Sequence, residues 1–435
     1  MKKVAFLTLG CKVNTYESEA MLKLFCDAGY ESVDFKEQAD VYVINTCTVT
    51  NTGDSKSRQM IRKAIRQNPQ ATVCVVGCYS QVASQEVAKI EGVGVVLGTQ
   101  FRNRIVEFVE EYQKTHQTVI HVADVMKLSH FEDLDIDKFM KNTRAFLKIQ
   151  DGCNNFCTYC IIPYARGRIR SRDKESVLKQ AQKLVDHGFV EIVLTGIHTA
   201  GYGQDFDNYS FYDLLVDLTT KVKGLKRLRI SSIEMSQITH EIIDLIATSP
   251  IIVDHLHIPI QSGCDKILKK MNRHYTTDEF ASKMKELKEK LPTLSITTDV
   301  IVGFPGETDE DFESTYQWIK DMHFNQLHVF PYSPRQGTPA AKMKDQVDGN
   351  VKHQRVKALM DLSHQLLHEF ASQQIGQTLN VLIEEADGDY MIGHASNYLK
   401  VKTKLPLDSV GHIYPVFIEE CQDTELIGSV VSEEN

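Results

Sequence analysis

The chain has 435 residues, 42% hydrophobic and 25% charged, enough for two to four domains with buried cores at roughly 100–200 residues each. That excludes disorder as the main state. No apolar run reaches about 18 residues, which excludes a transmembrane helix, and collagen-like, coiled-coil and low-complexity classes fail on composition. The net charge of −9 argues against a simple nucleic-acid binder, but residues 371–435 hold 3 Lys+Arg against 11 Asp+Glu, so the rest of the chain is close to neutral.

Met1-Lys2-Lys3 followed by VAFLTLGC imitates a lipoprotein signal. Its apolar core, Val4–Leu9, is shorter than the roughly 7–15 residues such a signal needs. It reads as a first strand in a cytoplasmic protein. There thiols stay reduced, so clustered cysteines point to metal or chemistry.

Strands alternate with helices over residues 1–112. The strands are KVAFLTL, Asp40–Asn45, Thr72–Gly77 and Val93–Gly98; helical patterns cover Thr15–Ala28, Asp54–Gln67 and Ser84–Ile90. Short apolar strands separated by helices predict a parallel sheet covered on both faces. Residues 113–143 are mixed and read as a linker. From Arg144 the alternation restarts, with strands predicted at 146–150, 191–196, 227–232, 254–259, 295–304 and 326–332. Six such units suit a parallel barrel, complete or partial, over 144–372. A long helix closes this part. Residues 373–435 carry short alternating strands with Gly and Asp turns, which predict a small all-β barrel.

Cys153, Cys157 and Cys160 stand in DGCNNFCTYC, just after a predicted barrel strand. Three thiolates can bind three irons of a four-iron cluster and leave the fourth open, whereas electron carriers close all four positions. Zinc would want a fourth ligand nearby, and the next cysteine is Cys264. Cys11, Cys47 and Cys78 fall at the C-terminal ends of the first three predicted strands. In a parallel sheet those ends share one edge, so these thiols are expected to converge as a second triad. Cys74 and Cys26 read as buried core cysteines, and Cys264 and Cys421 as structural.

Basic residues gather in four places: Arg58, Arg62 and Arg66 on one helix face; Arg166, Arg168, Arg170 and Arg172; Lys221 to Arg229; and Lys269, Lys270 and Arg273. Such groups usually mark solvated surface. The second group borders the cysteine loop, and its alternation predicts four arginines on one side, facing phosphates.

The 153–160 spacing resembles the radical S-adenosylmethionine superfamily. Tyr159 matches that family's adenine-facing aromatic. Gly303, Pro305, Gly306 and Glu307, in DVIVGFPGE, resemble its Gly-rich strand end beside the cofactor; glycines there permit close approach. The acidic amine-binding motif of the family is not evident, and Thr195-Gly196-Ile197-His198 stands in its place. The runs LGCKVNTYES, INTCTVT, GCYSQ, DGCNNFCTYCIIPYARGRIRSR, PIQSGCDKILKKMNR, VGFPGE and FPYSPRQGTPAA extend the resemblance to methylthiotransferases over nearly the whole chain.

That resemblance implies an N-terminal methylthiotransferase domain, a radical S-adenosylmethionine core and a C-terminal barrel of the TRAM type. It implies two [4Fe-4S] clusters, one on each cysteine triad, with S-adenosylmethionine as radical source and methyl donor. The implied partners are tRNA and a low-potential electron donor such as flavodoxin or ferredoxin, with no membrane. Lys12-Val13-Asn14 and Ala165-Arg166-Gly167-Arg168 are similar to the branch acting on N6-threonylcarbamoyladenosine at position 37, next to the anticodon. The implied reaction replaces its C2–H with C2–S–CH3. Sister branches act on isopentenyladenosine in tRNA or on a ribosomal protein aspartate. A non-catalytic iron–sulfur carrier or RNA-binding scaffold is the remaining reading.

Overall fold

The computed structural model describes residues 1–136 and 143–431. Its first unit is a six-stranded parallel sheet: β1 (Lys3–Thr8), β2 (Glu31–Val33), β3 (Val41–Thr46), β4 (Thr72–Gly77), β5 (Val93–Leu97) and β6 (Val119–His121), in the order β2-β1-β3-β4-β5-β6. β3 and β4 are buried along their whole length. Helices α1 (Lys12–Asp27), α2 (Asn51–Gln67) and α3 (Cys78–Val82) follow β1, β3 and β4. Two apolar layers flank the sheet, one on Phe25 and Phe108, the other on Ile61 and Val87, as a parallel sheet requires.

The four predicted strands are present. The first unit also runs past residue 112: the helix Ile105–Thr115 crosses it and β6 pairs with β5, so 113–121 belong to this unit and are not linker. The edge strands β2 and β6 have only three residues each, too short for a periodic signal.

The second unit carries β7 (Ala145–Lys148), a small antiparallel pair β8 (Gln150–Asp151) and β9 (Arg170–Ser171), then β10 (Glu191–Thr195), β11 (Arg227–Ile230), β12 (His255–His257), β13 (Ser295–Val302) and β14 (Gln326–Pro331). β7, β10 and β11 form one parallel sheet and β12, β13 and β14 another, joined by a bridge between Leu228 and Ile252. This is the expected partial barrel of six strands. Alternation sorts its faces: Leu147, Ile192, Leu194, Leu228 and Leu256 join the helices in the main core, while Glu191, Arg229, His255, Thr297, His257 and Asp299 meet one another inside.

The helix Gly349–Ser372 leads to a closed five-stranded barrel, β15 (Thr378–Asp387), β16 (Tyr390–Ala395), β17 (Lys400–Thr403), β18 (Ile413–Gln422) and β19 (Glu425–Val430). It docks on the central unit through Arg144, whose Nε stands 3.1 Å from Glu384 Oε1, and through Arg229, which donates to the carbonyl of Ser396 at 3.1 Å. Among the described residues no helix is long and apolar enough to cross a membrane.

Candidate active site

Cys11, Cys47 and Cys78 stand just beyond the C-terminal ends of β1, β3 and β4. Gly10 lets the first two approach. Its φ is +101°, and a Cβ there would lie 3.0 Å from Cys47 Sγ and 2.8 Å from Cys47 Cβ. Burial pushes the Cys78 thiol up to about 12, Arg166 opposes this, and the charges of Cys11 and Cys47 add to it. The three sulfurs therefore share one electrostatic neighbourhood.

Cys153, Cys157 and Cys160 lie on the loop after β8. Gly152 (φ +77°) makes this turn possible, because a Cβ would sit 1.9 Å from the carbonyl oxygen of Arg168. Burial pushes Cys160 up to about 12 and Cys153 up to about 11, and Cys157 acts on both. Arg273 Nη1 stands 3.5 Å from Cys157 Sγ and 3.1 Å from Glu234 Oε1.

All six cysteines are free. Among the described residues no three His, Cys, Asp or Glu side chains gather around one metal ion. A four-iron cluster does not ask for that, because each cysteine binds a different iron. Soft thiol donors in two separate triads, with glycine turns that admit close approach, fit such clusters. Cys74 is buried as expected; Cys26 is exposed, contrary to the core reading.

A cavity of about 250 Å³ opens beside Cys160 and the loop that follows Cys47. Val49 and Thr50, just after Cys47, form one wall; Tyr159 and Cys160 form another; Asp299 and Tyr332 close it. Tyr159 packs against the cluster of Phe304 and Tyr332, which brings the cysteine loop and the Gly303–Glu307 turn together. That turn is internally occupied. Glu307 Oε1 accepts from the Gly303 backbone N–H at 2.7 Å and from Arg355 at 2.6 Å. Gly303, Pro305, Gly306 and Glu307 do not line this cavity, so the Glu307 carboxylate closes the turn here.

The arginine run behaves differently from expectation. Arg168 alone is exposed, its guanidinium over the Phe156 ring. Arg166, Arg170 and Arg172 are buried, which corrects the reading that all four face phosphates. The strand-like alternation fails because Arg166 ends the short helix Ile162–Arg166 and Gly167 then turns at φ +77°. Arg166 binds Glu17 Oε1 at 2.7 Å, Asp151 at 3.2 Å, Asn14 Oδ1 at 2.8 Å and Cys78 Sγ at 3.3 Å. Lys148 joins Glu17 and Asp151 at 2.7 and 2.6 Å, and Arg102 joins Glu17 at 2.5 Å. Arg172 reaches Tyr16 and Asp133. This buried network fastens α1 to the cysteine loop.

Sequence reasoning did not single out Glu17, Asp151, Glu234 or Arg335. Arg335, beyond β14, binds Thr48 Oγ1, Asn51 Oδ1 and Asp54 Oδ2, each at 2.6 Å, and so pins the Cys47 loop to the barrel.

Residues 147–319 match the Radical SAM superfamily, and residues 3–98 match uncharacterized protein family UPF0004. The chain is 56% identical over 423 residues to the threonylcarbamoyladenosine tRNA methylthiotransferase MtaB of Bacillus subtilis, covering 96% of this chain and 94% of that one. It belongs to the MtaB-like methylthiotransferase family. Another methylthiotransferase of that name, from Aquifex aeolicus, is 41% identical over 88% of this chain and 93% of its own length. The tRNA-2-methylthio-N(6)-dimethylallyladenosine synthase of Clostridium novyi is 32% identical over 99% and 97%. This methylthiotransferase also shares its fold with the radical S-adenosylmethionine methyltransferase TsrM of Kitasatospora setae: TM-score 0.58 and 15% identity, covering 78% of this chain and 77% of that one. Membership in the superfamily implies S-adenosylmethionine and a [4Fe-4S] cluster.

Proposed function

We propose that this enzyme replaces the C2 hydrogen of N6-threonylcarbamoyladenosine in tRNA, next to the anticodon, with a methylthio group. The observation that carries the reading is the cavity lined by Cys160 of one triad and by Val49 and Thr50, two and three residues after Cys47 of the other, in a chain 56% identical to an MtaB methylthiotransferase. When bound, two iron–sulfur clusters and S-adenosylmethionine supply hydrogen-atom abstraction, sulfur and a methyl group, with electrons from a low-potential donor such as flavodoxin or ferredoxin.

The chain's own residues position these parts, as cofactor enzymes do. Cys153, Cys157 and Cys160 hold one cluster and Cys11, Cys47 and Cys78 the other. Arg273 and Arg166 place positive charge beside Cys157 and Cys78. Tyr159 and Tyr332 give the cavity a largely apolar wall. A base inside a structured loop must be splayed out to reach such a site.

Nucleoside mass spectrometry of tRNA from a deletion strain tests the reading. The methylthio form of threonylcarbamoyladenosine should vanish and return with the wild-type chain. Loss of the methylthio isopentenyl nucleoside instead would overturn the substrate. A product found on protein, with tRNA unchanged, would overturn the tRNA target.

A further inference from the structure

An exposed aromatic patch lies beside the second cysteine loop. Phe156, on that loop, meets Tyr164 edge to face with ring centroids 6.0 Å apart, and the Arg168 guanidinium lies 5.6 Å from the Phe156 centroid. Tyr164 is 41% exposed, and Arg168 is exposed as well. None of the three lines the cavity.

Three observations set this patch apart from ordinary surface. The first is strain. Phe156 sits at φ +46°, a region that a bulky residue adopts only when its surroundings enforce it. Here they do: the Asn272 side-chain amide donates to the carbonyls of Asn155 at 3.2 Å and of Phe156 at 3.4 Å. The second is charge. Among the described residues the Arg168 side chain has no ion-pair or hydrogen-bond partner, only the Phe156 ring. Its backbone is nevertheless fixed, because Arg170 Nη1 donates to the Arg168 carbonyl at 2.8 Å. The third is place. Phe156 directly precedes Cys157. The helix Ile162–Arg166 starts at the cavity, which Ile162 lines, and ends at the first triad, where Arg166 Nε stands 3.3 Å from Cys78 Sγ. Tyr164 is the middle residue of that helix.

We propose that Tyr164 and Arg168 form a nucleotide subsite: the Tyr164 ring stacks on the base next to the modified adenosine, and Arg168 binds that nucleotide's phosphate. Phe156 is the positioning residue, touching both side chains. The inference rests on the tRNA reading and deepens it. The occupant follows from the chemistry of the patch. Single-stranded RNA is held by stacking of its bases on aromatic rings and by cations along its backbone. When one base is pulled out of a loop, its neighbour loses a stacking partner, and an exposed ring replaces it. A carboxylate of a docking protein would satisfy Arg168 alone and leave Tyr164 unused.

The test uses the full-length, anaerobically reconstituted protein and anticodon stem-loop RNAs carrying threonylcarbamoyladenosine. The nucleotide on its 5′ or its 3′ side is intact or abasic. Fluorescence anisotropy at fixed salt gives the affinities, and iron is measured in every variant. The wild type should bind the intact RNA about tenfold or more tighter than one of the two abasic RNAs, the worth of one base–aromatic stack. Tyr164→Ala should bind intact and abasic RNA alike, at the wild-type abasic level and with full iron. Tyr164→Phe should keep the preference. Arg168→Ala should weaken intact and abasic RNA by the same factor. A wild type indifferent to both abasic sites, or a preference that survives Tyr164→Ala, would overturn the inference. So would a loss of iron in Tyr164→Ala with equal weakening for every RNA, which assigns the ring to the cysteine loop. Unchanged RNA affinities with slower reduction by flavodoxin would overturn it too, and assign the patch to the electron donor. The substrate reading fails separately, if the wild type leaves the threonylcarbamoyl RNA unconverted and converts an isopentenyl one.

Discussion

Arg166 is fully buried and surrounded by groups that need its charge. Glu17 and Asp151 accept from it, and neither can reach water. Arg166→Ala leaves Glu17 to Lys148 and Arg102, and Asp151 to Lys148, so it should lower stability by less than the about 3–5 kcal/mol of a buried charge left wholly unpaired; a lowered urea midpoint checks this. Glu17 gives the interaction a pH signature. Burial pushes its carboxyl up, but Arg102, Arg166 and Lys148 outweigh burial and hold it near 2, against an ordinary 4.5. A depressed carboxyl stabilises the fold fully above its unfolded pKa and loses that contribution as pH falls to the folded one. The wild-type urea midpoint should fall from about pH 4.5 toward 2, with a slope that Glu17→Gln lacks. Arg170→Ala should likewise lower stability. Arg168→Ala should leave stability intact and reduce the salt dependence of tRNA binding by about one unit of slope; an unchanged slope would remove Arg168 from the RNA contact. None of this was legible in the local pattern. Alternation orders neighbours, but the partner of Arg166 lies 149 residues away.

At the scale of elements, the cysteine triads were legible because topology placed them. Each of Cys11, Cys47 and Cys78 ends a strand of a parallel sheet, and that constraint holds whatever the side chains do. The elements that escaped detection carry weaker signals. β2 and β6 are three-residue edge strands, and β16 interrupts its alternation with Gly393. The clamp on the Cys47 loop escaped for another reason. Arg335 lies more than 280 residues from Asn51 and Asp54, and only the docked fold brings them together. Arg335→Ala removes the buried guanidinium that satisfies Thr48 and Asp54. Hydrogen exchange should then speed up across residues 48–56, while amides of β3, fully buried in its sheet, keep their protection. Uniform acceleration would mean the clamp holds the whole sheet; no change would mean the loop holds itself.

For the whole molecule, the negative total charge coexists with a cationic interior, so net charge says little about the substrate. The acidic barrel at the C-terminus stacks its Tyr398 under Arg229 and pairs its Glu384 with Arg144, so one of its carboxylates neutralises an arginine of the central unit. The two triads belong to different sheets and have separate supports. The loop of Cys153, Cys157 and Cys160 is held by the Thr158 backbone N–H on the Met271 carbonyl at 3.0 Å and by Arg273. The triad of Cys11, Cys47 and Cys78 rests on the first sheet, on Arg166 and on Arg335. Losing one set of thiols should therefore leave the other competent. Anaerobic reconstitution should load about eight irons per chain, two four-iron clusters. Replacing Cys11, Cys47 and Cys78 together with Ala should lower this to about four, with Cys153, Cys157 and Cys160 as the remaining ligands. A wild type that holds only about four irons, unchanged by that triple substitution, would leave the first triad without a cluster. The methylthio group would then need another source of sulfur.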